Sequence, residues 1–332
     1  MFGFIDDLGF LGNSKLPAEM KQAGAIRVRG DHFLDAKVPA KDLAYRFKKD
    51  DVKVLQFFFS GGINSCLSLT GDTGTGKTSL IEQSCARLNW PLEPFSSHDR
   101  ATMFELIGGH RLLNGNTVWE DGPLLSAMRS GSVLLIDEVN VMPPEVLTGL
   151  NRVLERLTYL IPETGELVKA HPDFRVAITG NAINGENRGS YKGVGSMNIA
   201  FINRFTLGIE VGWMTCDDES QMLRSRYPHL DEIIADYLCN IASMSRLSFR
   251  GGEIRTPMSP RTTIAIADKL TAFSCGLDDA EKKKGMQLHM LPFAVKMCYA
   301  WALSNSEKMA FEDSCKKVAR TMGLIEFNPI PF

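Results

Sequence analysis

Metal-type cysteine pairs, clustered histidines, long apolar runs and an excess of either charge are all missing from this 332-residue chain. Its seven cysteines, at positions 66, 85, 216, 239, 275, 298 and 315, form no Cys-x-x-Cys pair, and its six histidines show no ligand spacing. That excludes the common zinc sites, and an odd, scattered set of thiols predicts reduced cysteines in a cytoplasmic protein, not a disulfide framework. No apolar run approaches the roughly 20 residues of a membrane span. The opening MFGFIDDLGFLG carries two acids and no basic residue, unlike a secretory leader. With 37 basic and 39 acidic residues the formal net charge is -2, so the overall balance demands neither nucleic acid nor an anionic membrane. No repeat of fixed period occurs.

What is present is concentrated in LSLTGDTGTGKTSLIEQ, residues 67 to 83. A backbone that wraps a polyphosphate needs several N–H groups pointing inward with no side chain in the way, and Gly71, Gly74 and Gly76 meet that need. Leu67, Leu69 and Thr70 read as the end of a buried strand. Ser79 to Arg87 reads as a helix whose N-terminal N–H groups favour an anion. The spacing is Gly-x-x-x-x-Gly-Lys-Thr, the complete P-loop pattern, between a strand and a helix. Gly71, Asp72, Thr73, Gly74, Thr75, Gly76, Lys77, Thr78 and Ser79 are therefore the expected ATP-binding residues. Lys77 supplies a cation for the outer phosphates and Thr78 a hydroxyl for Mg2+. The bland alternative is a glycine-rich surface turn.

From Asp51 to about Trp213 short apolar runs alternate with helical patterns, which predicts an α/β core with a parallel sheet covered by helices on both faces. From Thr215 onward the pattern is almost purely helical, which predicts a separate helical domain. The expected organisation is an N-terminal extension over 1–45, the core over 46–214 and the helical part over 215–332. Within the core, SVLLIDEVN at 132–140 is an apolar strand ending in two acids. Strand carboxyl ends carry the ligand in such sheets, so Asp137 is placed to organise Mg2+ and Glu138 to orient and deprotonate the attacking water. FRVAITGNAIN at 174–184 is a further strand ending in Asn181, whose amide offers both donor and acceptor to the γ-phosphate and the water; read alone, Asn181 is a turn residue.

These motifs, followed by INRF at 202–205 and SPRTT at 259–263, resemble an AAA+ ATPase. Within that superfamily the chain resembles the MoxR group, and most the small ATPase subunits of aerobic cobaltochelatases, through GTGKTSLIEQSCARLNWP, SHDR, HPDFRVAITGN and SPRT. The resemblance covers roughly residues 40 to 275. It implies a P-loop AAA+ core with a helical lid, Arg204 as an arginine finger reaching a neighbouring subunit's nucleotide, and Arg261 as the lid sensor. Asn203 stands where the family usually has an acid before the finger. Without the resemblance, Arg204 reads as an exposed arginine before a strand and Arg261 as a helix-surface arginine after Pro260. The resemblance further implies a homo-oligomeric ring, a hexamer, acting on a protein client such as a von Willebrand A domain protein or a metal-chelatase complex.

Two insertions read as hairpins: 108–124 around Asn114-Gly115, and 157–174 with its turn at Pro162 to Glu166. Similar hairpins in the family line the pore or upper surface of the ring; the bland alternative is ordinary surface hairpins, with Trp119 a core anchor. A nucleic-acid motor or loader is the alternative function, for which basic hairpins are expected. Here Arg111 and Lys169 are offset by Glu120, Glu163 and Glu166. A nucleotide-gated scaffold without turnover is a third reading, disfavoured by the presence of both Asp137 and Glu138. The glycine-rich loop 185–195, with Arg188 and Lys192, reads as a solvated loop that could order against a neighbour.

Overall fold

A strand covered on both faces is buried along its length whichever way each side chain points, and the runs CLSLT, VLLID and RVAITG are buried at almost every position. In the computed structural model, which describes residues 36–61, 65–181 and 199–324, they become β1 (Cys66–Thr70), β5 (Val133–Asp137) and β8 (Arg175–Gly180). The glycine-rich loop around Arg188 and Lys192 and most of the N-terminal extension lie outside the described residues. With β2 (Leu92–Ser96) and β9 (Leu207–Glu210) the three strands form one five-stranded sheet in the order β2-β5-β8-β1-β9. Every neighbouring pair is parallel. The two long crossovers put β8 between β1 and β5, with Thr70 opposite Gly180 and Ile136 opposite Ile178.

The chain divides into two compact units. Of the described residues, one holds those of Phe47–Asp72 and Gly76–Gly212 with 36–42; the other holds Leu43–Arg46, Thr73–Thr75 and 213–324.

In the first unit the helices α1 (Lys49–Ser60), α2 (Lys77–Leu88), α3 (Met103–Ile107), α4 (Pro123–Ser130), α5 (Pro144–Arg156) and α6 (Ile199–Ile202) accompany the sheet. Helix α1 buries Val52, Leu55, Phe58 and Phe59. Its last carbonyls have no partner within the helix, and the buried Arg175 of β8 supplies one, donating from Nε to Phe58 O at 3.1 Å and also to Gly61 O. Part of the N-terminal extension packs on the same unit. The Asp42 amide donates to Gln83 Oε1 at 2.8 Å, Arg87 donates to Asp42 O at 2.8 Å, and the Leu92 amide donates to Lys37 O at 3.0 Å.

Both insertions are antiparallel hairpins, β3 (Gly108–Leu113) with β4 (Asn116–Asp121) and β6 (Thr158–Leu160) with β7 (Leu167–Lys169). Asn114 and Gly115 both take positive φ, 51° and 82°, as a two-residue turn matched to strand twist requires. Arg129 of α4 ties the two insertions together. Its Nε donates to Asp121 Oδ2 at 2.6 Å, and its two terminal nitrogens make a forked pair with Glu166 at 2.6 and 2.8 Å. Trp119 is partly buried against the core, and its indole N–H donates to Asp121 at 2.8 Å.

The second unit is helical: α7 (Cys216–Arg226), α8 (Glu232–Arg250), α9 (Pro260–Phe273), α10 (Ala280–Cys298) and α11 (Asn305–Thr321). Tyr237, Leu238, Ile266, Leu270, Leu291 and Phe311 are among its core. Inside it lies an ion pair, Arg246 (6% exposed) with Glu219 (0%), at 2.7 and 3.0 Å. Thr263 Oγ1 donates to the same carboxylate at 2.7 Å, Arg246 Nε donates to Met258 O at 2.8 Å, and the guanidinium lies 4.8 Å from the Trp213 ring centroid. All seven cysteines are free thiols. Among the described residues no helix is long and apolar enough to cross a membrane, and no cluster of three or more His, Cys, Asp or Glu is built to hold a metal.

Removing one partner of a buried pair strands the other charge, which costs about 3–5 kcal/mol. Arg246→Ala is therefore expected to lower the urea midpoint of the helical unit strongly, by destabilisation of that order, whereas the double change Arg246→Met with Glu219→Leu loses much less. Equal losses in the two proteins, read by circular dichroism, would contradict this account of the pair.

Candidate active site

The carboxyl ends of β1, β5 and β8 are adjacent in the sheet, so whatever follows each strand converges on one place. After β1 comes the glycine loop. It closes at Gly76, the residue before α2, with φ 93° and ψ 23° and nothing within 4 Å of the position a Cβ would take. A side chain there would be strained and would stand where the loop is open.

Lys77 follows as the first residue of α2 and is only 7% exposed. Its ammonium donates to Gly71 O at 2.9 Å, to Asp72 O at 2.8 Å and to Asn181 Oδ1 at 2.8 Å. Three donors thus meet three acceptors, the condition for burying an ammonium. Burial pushes its pKa below the ordinary lysine value, against the opposing pull of Asp137, Asp72 and Glu138. Thr78, next along, donates from Oγ1 to both oxygens of Asp137, at 3.0 and 3.1 Å. Ser79 continues the first turn of α2.

Asp137 ends β5 and Glu138 leaves the strand in the left-handed region, φ 54° and ψ 43°. For a residue with a side chain that conformation costs on the order of 1 kcal/mol. A short 3₁₀ turn, Val139–Val141, follows, and its buried Val139 anchors the bend. The Glu138 carboxylate is left exposed while its amide donates to Thr179 Oγ1 at 3.0 Å. Thr179 in turn donates to Asp137 Oδ1.

Lys77 with Asn181 and Thr78 with Asp137 therefore form two hydrogen-bonded groups at neighbouring strand ends, and Glu138 joins the second through Thr179. Arg204 lies between α6 and β9, and its guanidinium is held by the Glu155 carboxylate of α5 and the Ala200 carbonyl. Arg261 is an exposed residue in the first turn of α9, in the helical unit, after the N-cap Ser259 and Pro260. Two participants carry no motif in the sequence. Thr179 reads there as an ordinary β-branched strand residue. Glu82, one turn after Thr78 on α2, has its pKa raised by burial and by the neighbouring Asp137; its helical spacing of four from Thr78 was the available signal.

The comparisons with known proteins agree with this architecture. The AAA domain (dynein-related subfamily) matches residues 67–205. The chain is 29% identical over 252 residues to the aerobic cobaltochelatase subunit CobS of a Sinorhizobium species, covering 72% of this chain and 74% of that one. It is 32% identical over 216 residues to an uncharacterized Staphylococcus haemolyticus protein, SH1500, covering 63% of this chain and 79% of the other. It is 38% identical over 114 residues to the protein NorQ of Paracoccus denitrificans, covering 34% of this chain and 42% of NorQ.

An ammonium that sits on two loop carbonyls and the Asn181 amide is positioned for anionic oxygens at the same place. Lys77→Ala is expected to weaken equilibrium binding of a fluorescent ATP analogue by at least about tenfold, as loss of a charge-assisted contact requires. Unchanged affinity would remove Lys77 from the binding set.

Proposed function

Because the chain belongs to the MoxR-like AAA+ ATPases, similar to CobS, and so hydrolyses ATP, we propose that it works as a Mg2+-dependent ring that remodels or activates a protein partner. The observation that carries the catalytic part is the pair of polar groups at the ends of β1, β5 and β8: Lys77 with Asn181, and Thr78 with Asp137.

The residues fit the metal. A hydroxyl and a carboxylate 3.0 Å apart are the hard oxygen donors that Mg2+ takes alongside phosphate oxygens. Bound there by Thr78 and Asp137, Mg2+ would neutralise charge on the phosphates. Lys77 carries positive charge to the outer phosphates, and the loop amides from Gly71 to Ser79 cradle them. The exposed Glu138 carboxylate orients a water and takes its proton. Asn181 accepts from Lys77 through Oδ1 and offers its amide N–H groups to the γ-phosphate or the water.

Arg204 and Arg261 supply the remaining cations of the scheme, the first as a finger from a neighbouring subunit and the second as the lid sensor. A cation placed at the γ-phosphate in this way is worth several kcal/mol in phosphoryl transfer. That role is the reason to propose a closed homo-oligomer, a hexamer, with each site at a subunit boundary. The relative named as a cobaltochelatase subunit supports a chelatase complex as the client; a von Willebrand A domain protein is the other client that the MoxR resemblance implies. A motor on DNA or RNA is the second reading. Against it, Arg111 of the first hairpin is paired with Glu120 at 2.8 Å, and Lys169 of the second shares its hairpin with Glu163 and Glu166, so neither hairpin offers a basic track.

Glu138→Gln is expected to keep ATP binding and lose phosphate release, and affinity capture of that variant with ATP to recover a protein client. Wild-type release would remove Glu138 from its role; capture of nucleic acid alone, with salt-sensitive stimulation of hydrolysis, would favour the second reading. For the ring, mixing Arg204→Ala with Lys77→Ala subunits should restore part of the hydrolysis that each lacks alone, through boundaries that pair an intact loop with an intact finger. Full-rate hydrolysis by a strictly monomeric protein would contradict it.

A further inference from the structure

Resting on the assignment of Glu138 as the group that activates water, the geometry points to Thr179 as the positioning residue that fixes where that carboxylate stands. Thr179 is fully buried, at 0% exposure, one residue before the end of β8. Its hydroxyl has two uses at once: it donates to Asp137 Oδ1 and accepts from the Glu138 amide at 3.0 Å. A hydroxyl can hold both roles, where an ammonium or a methyl cannot.

The consequence follows from the backbone. Glu138 stands at φ 54° and ψ 43°, a region that side-chain-bearing residues seldom adopt. Something must hold it there, and its own side chain, exposed to solvent, does not. The amide bond to Thr179 on one side and the buried Val139 on the other fix the peptide from which the carboxylate projects. The same hydroxyl sets the partner acid. Asp137 Oδ1 accepts from Thr179 on the sheet and from Thr78 Oγ1 at 3.0 Å on α2, so the carboxylate is held from both. Parallel register makes this inevitable: Ile136 lies opposite Ile178, which brings Asp137 alongside Thr179. Thr179 would touch neither nucleotide nor water and acts through its two neighbours.

Valine is nearly isosteric with threonine and equally suited to a strand, so Thr179→Val removes the hydroxyl and little else. We expect its ATP affinity to stay close to wild type while kcat falls about 10–100-fold, the usual effect of losing a group that orients a functional side chain. Thr179→Ser, which keeps the hydroxyl, should retain most of kcat. Wild-type kcat in Thr179→Val overturns the inference, and so does a Thr179→Ser protein as impaired as Thr179→Val, since packing would then be the cause. Glu138→Gln measured alongside separates the two levels. If it hydrolyses normally, the assignment of Glu138 fails; if it is inactive while Thr179→Val is normal, only Thr179 is ruled out. Native-state amide exchange of the unsubstituted protein gives a readout independent of any variant's folding. The Glu138 amide is expected to be protected, and exchange at the rate of an unbonded amide would overturn the inference.

Discussion

Strand β8 runs in parallel between β1 and β5, and its register against both decides what the protein can do. Thr70 lies opposite Gly180, so the glycine loop leaves the sheet beside Asn181; Ile136 lies opposite Ile178, so the two acids leave it beside Thr179. A slip of one residue would turn Thr179 to the other face of the sheet and separate it from Asp137. The apolar runs that cover both faces resist such a slip, because a shift would trade buried Val176, Ala177 and Ile178 against mismatched neighbours. Core packing and site geometry are in this sense one constraint.

The polar atoms at the strand ends are expensive to bury, and the arrangement makes each satisfy another. Lys77 finds two backbone carbonyls and an amide oxygen, Asp137 accepts from two threonine hydroxyls, and Thr179 also accepts from the Glu138 amide. A lone buried ammonium or carboxylate would change protonation or draw in water. Among these groups Lys77 and Thr179 are buried, while Glu138 is exposed. Asp137, held by two hydroxyls, and Glu138, open to solvent, are thus adjacent acids in opposite surroundings.

Much of this was legible in the sequence, because its signals are local. Gly-x-x-x-x-Gly-Lys-Thr flanked by a strand and a helix, an apolar strand ending in Asp137 and Glu138, and Asn114-Gly115 within an alternating segment each depend on a few adjacent residues. What was not legible depends on contacts far apart in the chain. Arg175 caps α1 from 117 positions away, Arg204 meets Glu155 across 49, and Arg246 meets Glu219 across 27. Thr179 was hidden for another reason. A threonine suits any strand, and only its neighbour across the sheet gives the hydroxyl a task.

A threonine hydroxyl on an acid recurs in the helical unit, and the difference between the two cases follows from secondary structure. Thr179 and Asn181 are two apart at the end of a strand, where side chains two positions apart share a face, and they reach neighbouring partners, Asp137 and Lys77. Thr263 and Arg261 are also two apart, but within α9, where each residue advances about 100° around the axis. When Thr263 turns inward to Glu219, Arg261 must turn outward, and it is exposed. The buried pair of Glu219 with Arg246, the Ser259 cap and Pro260 together fix the first turn of α9, and that turn presents the arginine to solvent. The result is a guanidinium head in solvent on a rigid helical base.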